Sequence, residues 1–147
     1  MRLEPGSEYQ MIDRWCDHYE KTRDCFMGGN KIPIHGLIKE KIASGSLEVM
    51  MVKDNLTTIG FCAHYVNDGF LDGVALWLEP EHRNNGNMVT VFDLILDLAR
   101  KRNLDGICFS SKLWGEAPLQ MGFTVQKTVI DGEDTVTTWV KRTDKVH

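Results

Sequence analysis

Leu76-Trp77-Leu78-Glu79-Pro80-Glu81-His82-Arg83-Asn84-Asn85-Gly86-Asn87-Met88 joins the end of an apolar strand to the start of an amphipathic helix. Pro80 closes the strand, because proline has no N–H to give to a ladder. A short polar loop with one glycine follows. Met88, Val91, Ile95 and Leu98 then recur at helical spacing, so a helix begins near Asn87. A helix start carries backbone N–H groups without intrahelical partners, and the macrodipole adds partial positive charge there. Such a loop can hold a phosphate or pyrophosphate. Arg83 adds a charge-assisted contact, and Gly86 permits close backbone approach. The feature alone is weak, since many strands run into helices through a polar turn.

The flanking sequence divides into elements. Ser7-x-x-Gln10 resembles a capping box, and Ile12, Trp15, Cys16 and Tyr19 place a helix over residues 8–21. Residues 25–31 read as a loop containing Gly28-Gly29. Pro33 suits a helix first turn, Leu37, Ile38 and Ile42 form its apolar stripe, and Gly45 suits its stop. Three strands follow at 47–52, 57–66 and 70–78, joined by the hairpin-like turns Lys53-Asp54-Asn55 and Asn67-Asp68-Gly69. A helix is expected over 87–102, a buried strand over 104–111, and a short helix over 117–121 ending at Gly122. Strands at 123–130 and 135–141 form a last hairpin around Asp131-Gly132-Glu133-Asp134. The order is two helices, three antiparallel strands, helix, strand, short helix, hairpin.

Composition bounds the rest. A chain of 147 residues, 42% hydrophobic and 26% charged, is expected to be one globular domain over 1–147. A net charge of -4 argues against broad nucleic-acid binding. Cys16, Cys25, Cys62 and Cys108 form no CxxC pair, which favours free thiols over disulfides or a metal site. No apolar run approaches membrane-spanning length, and Met1-Arg2-Leu3-Glu4 begins no signal peptide. A cytoplasmic protein without membrane contact is expected, and the Asn55-Leu56-Thr57 sequon is then incidental. His18, His35, His64, His82 and His147 have no ligand spacing with cysteines or acids, so no metal is expected.

The order of elements and several local motifs resemble the GNAT superfamily of N-acetyltransferases. Ile59-Gly60-Phe61 resembles the glycine-bearing third strand of that fold. Leu78-x-Pro80-x-x-Arg83-x-x-Gly86 is similar to its acetyl-coenzyme A signature, and Met121-Gly122-Phe123 resembles the Leu-Gly-Phe after its fourth helix. The resemblance covers nearly the whole chain. It implies an α/β (α+β) fold with a mixed, mainly antiparallel central sheet of about seven strands and helices on both faces. The sheet would be splayed between the fourth and fifth strands, here 70–78 and 104–111.

The resemblance also implies a cosubstrate site for acetyl-CoA. The amides of Arg83, Asn84, Asn85, Gly86, Asn87 and Met88 would hold the pyrophosphate, and the backbone of Leu76, Trp77 and Leu78 would pair with the pantetheine arm. The chemistry would be direct attack by an amine on the thioester, which needs a proton acceptor, an oxyanion donor and an acid for the departing thiolate. Two positions depart from the pattern. Met88 stands where a small residue usually lets phosphate approach. Pro118 stands where a tyrosine acid is common, and no tyrosine follows Tyr65.

Glu79, ending its strand, is the expected water-mediated base, against the bland reading of a solvated strand-end acid. Ser111 is the expected donor to the thiolate, against a polar strand end. Asp72 can serve as a base but also flanks a turn. His64 titrates in a useful range, but a satisfied, packed histidine is the commoner outcome. Cys108 reads as core, and Trp114 and Trp139 as cleft or core.

Three function classes remain open. The first is an acetyl-CoA-dependent N-acyltransferase. The second is a catalytically degenerate relative binding CoA or a macromolecular partner, and the third is a structural protein retaining only the fold. The acceptor would be a small-molecule or peptide amine, attracted by an acidic rim of Asp68, Asp72, Asp131, Glu133 and Asp134. A homodimer is compatible with the sequence.

Overall fold

Alternating apolar residues in 48–78 and helical stripes on either side of them produce a sheet covered on both faces. The computed structural model describes residues 1–22, 34–111, 115–132 and 134–144. Pro33, the 25–31 loop, Trp114, Glu133 and His147 lie outside these described residues. In chain order the elements are β1 (Arg2–Pro5), α1 (Tyr9–Thr22), α2 (Ile34–Ala43), β2 (Glu48–Asp54), β3 (Thr57–Asn67), β4 (Phe70–Leu78), a 3-10 turn (Pro80–His82), α3 (Asn87–Lys101), β5 (Gly106–Ser111), α4 (Ala117–Gln120), β6 (Thr124–Asp131) and β7 (Asp134–Arg142). The seven-stranded sheet runs β1-β2-β3-β4-β5-β7-β6. All neighbours are antiparallel except β4 and β5, which are parallel.

The residue pattern lacks β1, because four residues with one apolar side chain, Leu3, are too short for alternation to register. It supplies the seventh strand that the family resemblance implied. Strand β5 starts at Gly106 rather than 104 because the preceding backbone is used in a turn. There the Leu104 N–H donates to Ala99 O (2.9 Å) and the Asp105 N–H to Gly69 O (2.7 Å). Among the described residues, no helix is long and apolar enough to cross a membrane.

Each sheet face has its own core. On one, Met11, Ile12, Trp15, Cys16 and Ile38 of α1 and α2 pack on Phe61, Ala63, Ala75 and Trp77. On the other, Val91, Phe92, Ile95 and Leu96 of α3 pack on Cys62, Leu71, Leu78, Ile107 and Phe123. Phe92, Phe109 and Phe123 form a ring cluster with centroids 5.2–5.4 Å apart. Trp139 is buried in this second core. At Gly60 a Cβ would sit 2.1 Å from Trp77 O, so only glycine lets β3 and β4 approach there.

Candidate active site

The parallel ladder between β4 and β5 is short: Phe70–Gly73 pair with Gly106–Phe109, and pairing stops there. On its other side β4 carries a bulge. Ala63 pairs with Ala75 and His64 with Gly73, leaving Val74 extra. The bulge bends β4 and increases its twist, and the two strands separate beyond it. A cavity of about 60 Å³ opens at the apex of this split, lined by His64, Gly73, Val74, Phe109, Ser110 and Ser111 together with apolar residues of β3, β4 and α3. The β4 edge from Val74 to Leu78 has no ladder partner on the β5 side. Leu76, Trp77 and Leu78 thus lie on an open edge to which an extended chain could add by main-chain hydrogen bonds.

That edge leads into the Pro80–Met88 turn. Asn84 and Gly86 both have positive φ (62° and 82°), which aims the loop into α3 without a side-chain cap on its N-terminus. Nothing in the protein lies within 4 Å of where a Gly86 Cβ would be, so positive φ rather than crowding makes glycine favourable. The loop is braced from within. Asn87 Nδ2 donates to His82 O (3.1 Å) and the Asn87 N–H to Asn85 Oδ1 (3.3 Å). Arg83 Nε donates to Leu78 O (2.7 Å), and its guanidinium lies 4.3 Å over the Trp77 ring. Arg83 therefore fastens the loop to β4 as well as supplying charge. Met88 does not enter the loop: it packs against the α3-face core. Its half-buried side chain is directed from the first turn of α3 toward the sheet.

The expected catalytic pair is not brought together. Glu79 is ion-paired with Arg14 of α1 and does not line the cavity. Ser111 does line it and is buried, while Ser110 Oγ shares a hydrogen bond with Thr138 Oγ1 (2.9 Å). Pro118 is buried in α4.

Two residues that the sequence left as bland occupy more telling places. Asp72 lies beside the apex, in register with Tyr65 on β3 and Cys108 on β5. Tyr65 Oη and Asn67 Nδ2 donate to its Oδ2 at 3.1 and 3.3 Å. Burial raises its pKa, against the lowering effect of those hydrogen bonds. His64 is buried on the opposite face, with Nε2 2.6 Å from Glu48 Oε1. Burial lowers its pKa, the adjacent Glu48 opposing this in part, while Arg102 beside His64 holds the Glu48 carboxyl below its ordinary range. Burial pushes the Cys62 and Cys108 thiols up to about 12, so neither is a nucleophile near neutrality. Among the described residues, no three side chains of metal-binding type cluster.

Solved structures place this architecture. The chain is similar to spermidine N-acetyltransferase from Vibrio cholerae in complex with CoA and spermine, at 16% identity and a TM-score of 0.71 over 95% of this chain and 94% of that one. It is similar to a Desulfovibrio desulfuricans protein described as a GNAT-family acetyltransferase by assignment, at 12% identity and a TM-score of 0.67 over 95% and 97%. It also resembles yncA of Salmonella typhimurium with its cofactor acetyl-CoA, at 14% identity and a TM-score of 0.67 over 100% and 96%. The chain has the GNAT fold. No family model matches it, and no curated protein matches it in sequence.

Proposed function

We propose that this protein is an acetyl-CoA-dependent N-acyltransferase that moves an acetyl group to an amine. The observation carrying this reading is the open β4 edge running from the split apex into a helix N-terminus. One extended thioester, ending in a pyrophosphate, is complementary to that combination. Leu76, Trp77 and Leu78 would pair with the pantetheine arm, and the amides of Asn84, Asn85, Gly86 and Met88 would face the pyrophosphate, the Asn87 N–H being engaged by Asn85 Oδ1. Arg83 Nε is used by the strand, which leaves the two Nη groups to the anion.

At the apex the amine nitrogen attacks the thioester carbonyl. The C–N bond forms, the C–S bond breaks, and one amine proton must leave. Asp72 suits that proton better than Glu79. Its raised pKa makes it a stronger base, whereas Glu79 is held by Arg14. The Ser111 hydroxyl lines the cavity and is the group proposed to stabilise the departing thiolate. CoA thiol is a fair leaving group, like free cysteine at about pKa 8.5. Asp68 and Asp72, at the β3–β4 turn end, would favour a cationic amine. The Vibrio cholerae relative was solved with spermine, so polyamines head the acceptor screen.

A second reading, CoA binding without turnover, draws support from Pro118 at the position of the usual acid. One experiment separates the two: isothermal titration with acetyl-CoA, followed by thiol release with polyamines, amino sugars and peptides. Binding with turnover supports the transferase, and binding without turnover supports the second reading. No heat at millimolar ligand removes both.

A further inference from the structure

Glu48, His64, Gly73, Phe109 and Trp139 are successive register partners across β2, β3, β4, β5 and β7. Direct partners point to one face of a sheet, here the face covered by α3. Gly73 interrupts this row with a gap between the imidazole of His64 and the ring of Phe109. A Cβ there would meet only Cys108 O at 3.5 Å and Phe109 Cβ at 3.6 Å, so the space is real. It is continuous with the cavity at the split apex.

His64 is 2% exposed and lines that cavity. Its Nε2 is taken by Glu48, which Arg102 holds at 2.8 Å. Its Nδ1 is buried with no hydrogen-bond partner. Burial keeps the ring neutral near pH 7. With the one proton on Nε2 facing a carboxylate, Nδ1 presents a bare lone pair to the cavity.

A buried acceptor without a donor is costly, and native proteins rarely leave one. The walls on this face are mostly apolar, Cys62, Leu71, Leu76, Phe92 and Ile95, with Ser111 of β5 as the polar exception beside His64. An ordered water needs two to four polar partners. Of the residues lining this face, His64 Nδ1 and the Ser111 hydroxyl are the side-chain groups able to serve, so a resident water is the alternative that the Nδ1 resonance separates. An ammonium is disfavoured by the cost of burying its charge there. The methyl of an acetyl group has nothing to donate.

We propose that the acyl pocket at the split apex selects a short hydroxyacyl thioester of CoA, whose hydroxyl donates to His64 Nδ1. His64 is then the residue that sets acyl specificity, with Glu48 and Arg102 fixing its tautomer. This rests on the CoA reading above and names the acyl group that the same site prefers. A cavity of about 60 Å³ suits a short acyl group.

Hydroxyacetyl-CoA and propionyl-CoA differ by a hydroxyl for a methyl at nearly constant volume. Isothermal titration of the full chain should find hydroxyacetyl-CoA bound more tightly by about tenfold, the worth of one buried neutral hydrogen bond. His64→Leu should abolish or reverse that preference while still binding CoA itself. In the wild-type protein, the ¹⁵N resonance of His64 Nδ1 should move on addition of hydroxyacetyl-CoA and stay with propionyl-CoA, which decides the matter if the variant fails to fold. Equal affinities with an unmoved Nδ1 overturn the proposal. So does an Nδ1 already hydrogen-bonded in the free protein and unchanged by both thioesters, which identifies a resident water. Binding of CoA without acyl discrimination removes this inference alone. Failure of all three CoA species to bind removes the CoA reading and this inference with it.

Discussion

The Arg83 guanidinium stacks 4.3 Å over the Trp77 ring while its Nε donates to the carbonyl of Leu78. One side chain thereby links the loop to the strand edge proposed to receive the thioester. Arg83→Ala loses the stack, the hydrogen bond and the charge together. CoA affinity should fall at least tenfold, since charge-assisted hydrogen bonds contribute roughly 1.5–3 kcal/mol. Arg83→Lys keeps the charge but neither the planar stack nor the fork, and should fall between. Titration calorimetry beside thermal melts checks this, because a purely structural Arg83 would lower the melting temperature in both variants and leave affinity unchanged.

Met88 packs into the α3-face core from the first turn of its helix. Met88→Gly should therefore destabilise without tightening CoA binding. Helix propensity costs about 1 kcal/mol, and the lost apolar contact adds on the order of 1 kcal/mol for a part-buried side chain. Urea titration reads the stability change. A gain in CoA affinity would show instead that the side chain swings into the loop.

Gly60 faces the Trp77 carbonyl across the sheet, with 2.1 Å available to a Cβ. The obstructing atom is backbone, so relief requires β3 and β4 to part beside the open edge. Gly60→Ala should cost about 3 kcal/mol, at the upper end for overpacked sites, and the urea midpoint measures it. A change of a few tenths would mean that the bulge at Ile59, where Val52 pairs with Gly60 and Lys53 with Thr58, absorbs the strain.

Local patterns were legible where a helix or hairpin encodes itself. The stripe Val91, Ile95 and Leu98 located α3, and Asp68-Gly69 located the β3–β4 turn, both residues having positive φ there. Distant pairings were not. Nothing near Glu79 announces that Arg14, 65 residues away, holds its carboxylate. Alternation placed His64 and Tyr65 on opposite faces of β3. It could not reveal that one imidazole nitrogen meets Glu48 while the other meets none. The Val74 bulge is equally silent, because inserting one residue changes which face β4 presents without changing its apolar content. The loop was readable as a motif, but the rotation of Met88 into the core depends on where α3 docks.

Burial raises the Asp72 pKa in the folded state. A carboxyl with a raised folded pKa binds its proton more readily folded than unfolded, so ionised Asp72 opposes folding at neutral pH. Asp72→Asn keeps a carbonyl oxygen for Tyr65 and Asn67 and removes the charge. The variant should melt above wild type at pH 7, and the gap should close as pH falls below about 3.9, the unfolded value for aspartate. His64 contributes oppositely. Its lowered folded pKa gives stability present above about pH 6.5, which is lost as pH falls through the folded value. Melts of both proteins between pH 4 and 8 separate the two, since only the Asp72 contribution is absent from the variant.

The same Asp72→Asn variant tests catalysis once an acceptor amine is found. If Asp72 takes the amine proton, kcat/KM should fall by ~10²–10⁴, the range for a positioned base. Glu79→Gln should cost far less, because Arg14 already engages that carboxylate. Ser111→Ala should cost about tenfold or less, since the thiolate leaves with modest help at a pKa near 8.5. In wild type, kcat/KM should rise with pH through the raised Asp72 value, and that limb should vanish in Asp72→Asn. A larger loss in Glu79→Gln than in Asp72→Asn would reverse the assignment and place the proton's exit at the end of β4. Equal and small losses in all three would leave positioning of the amine in the split as the main source of rate.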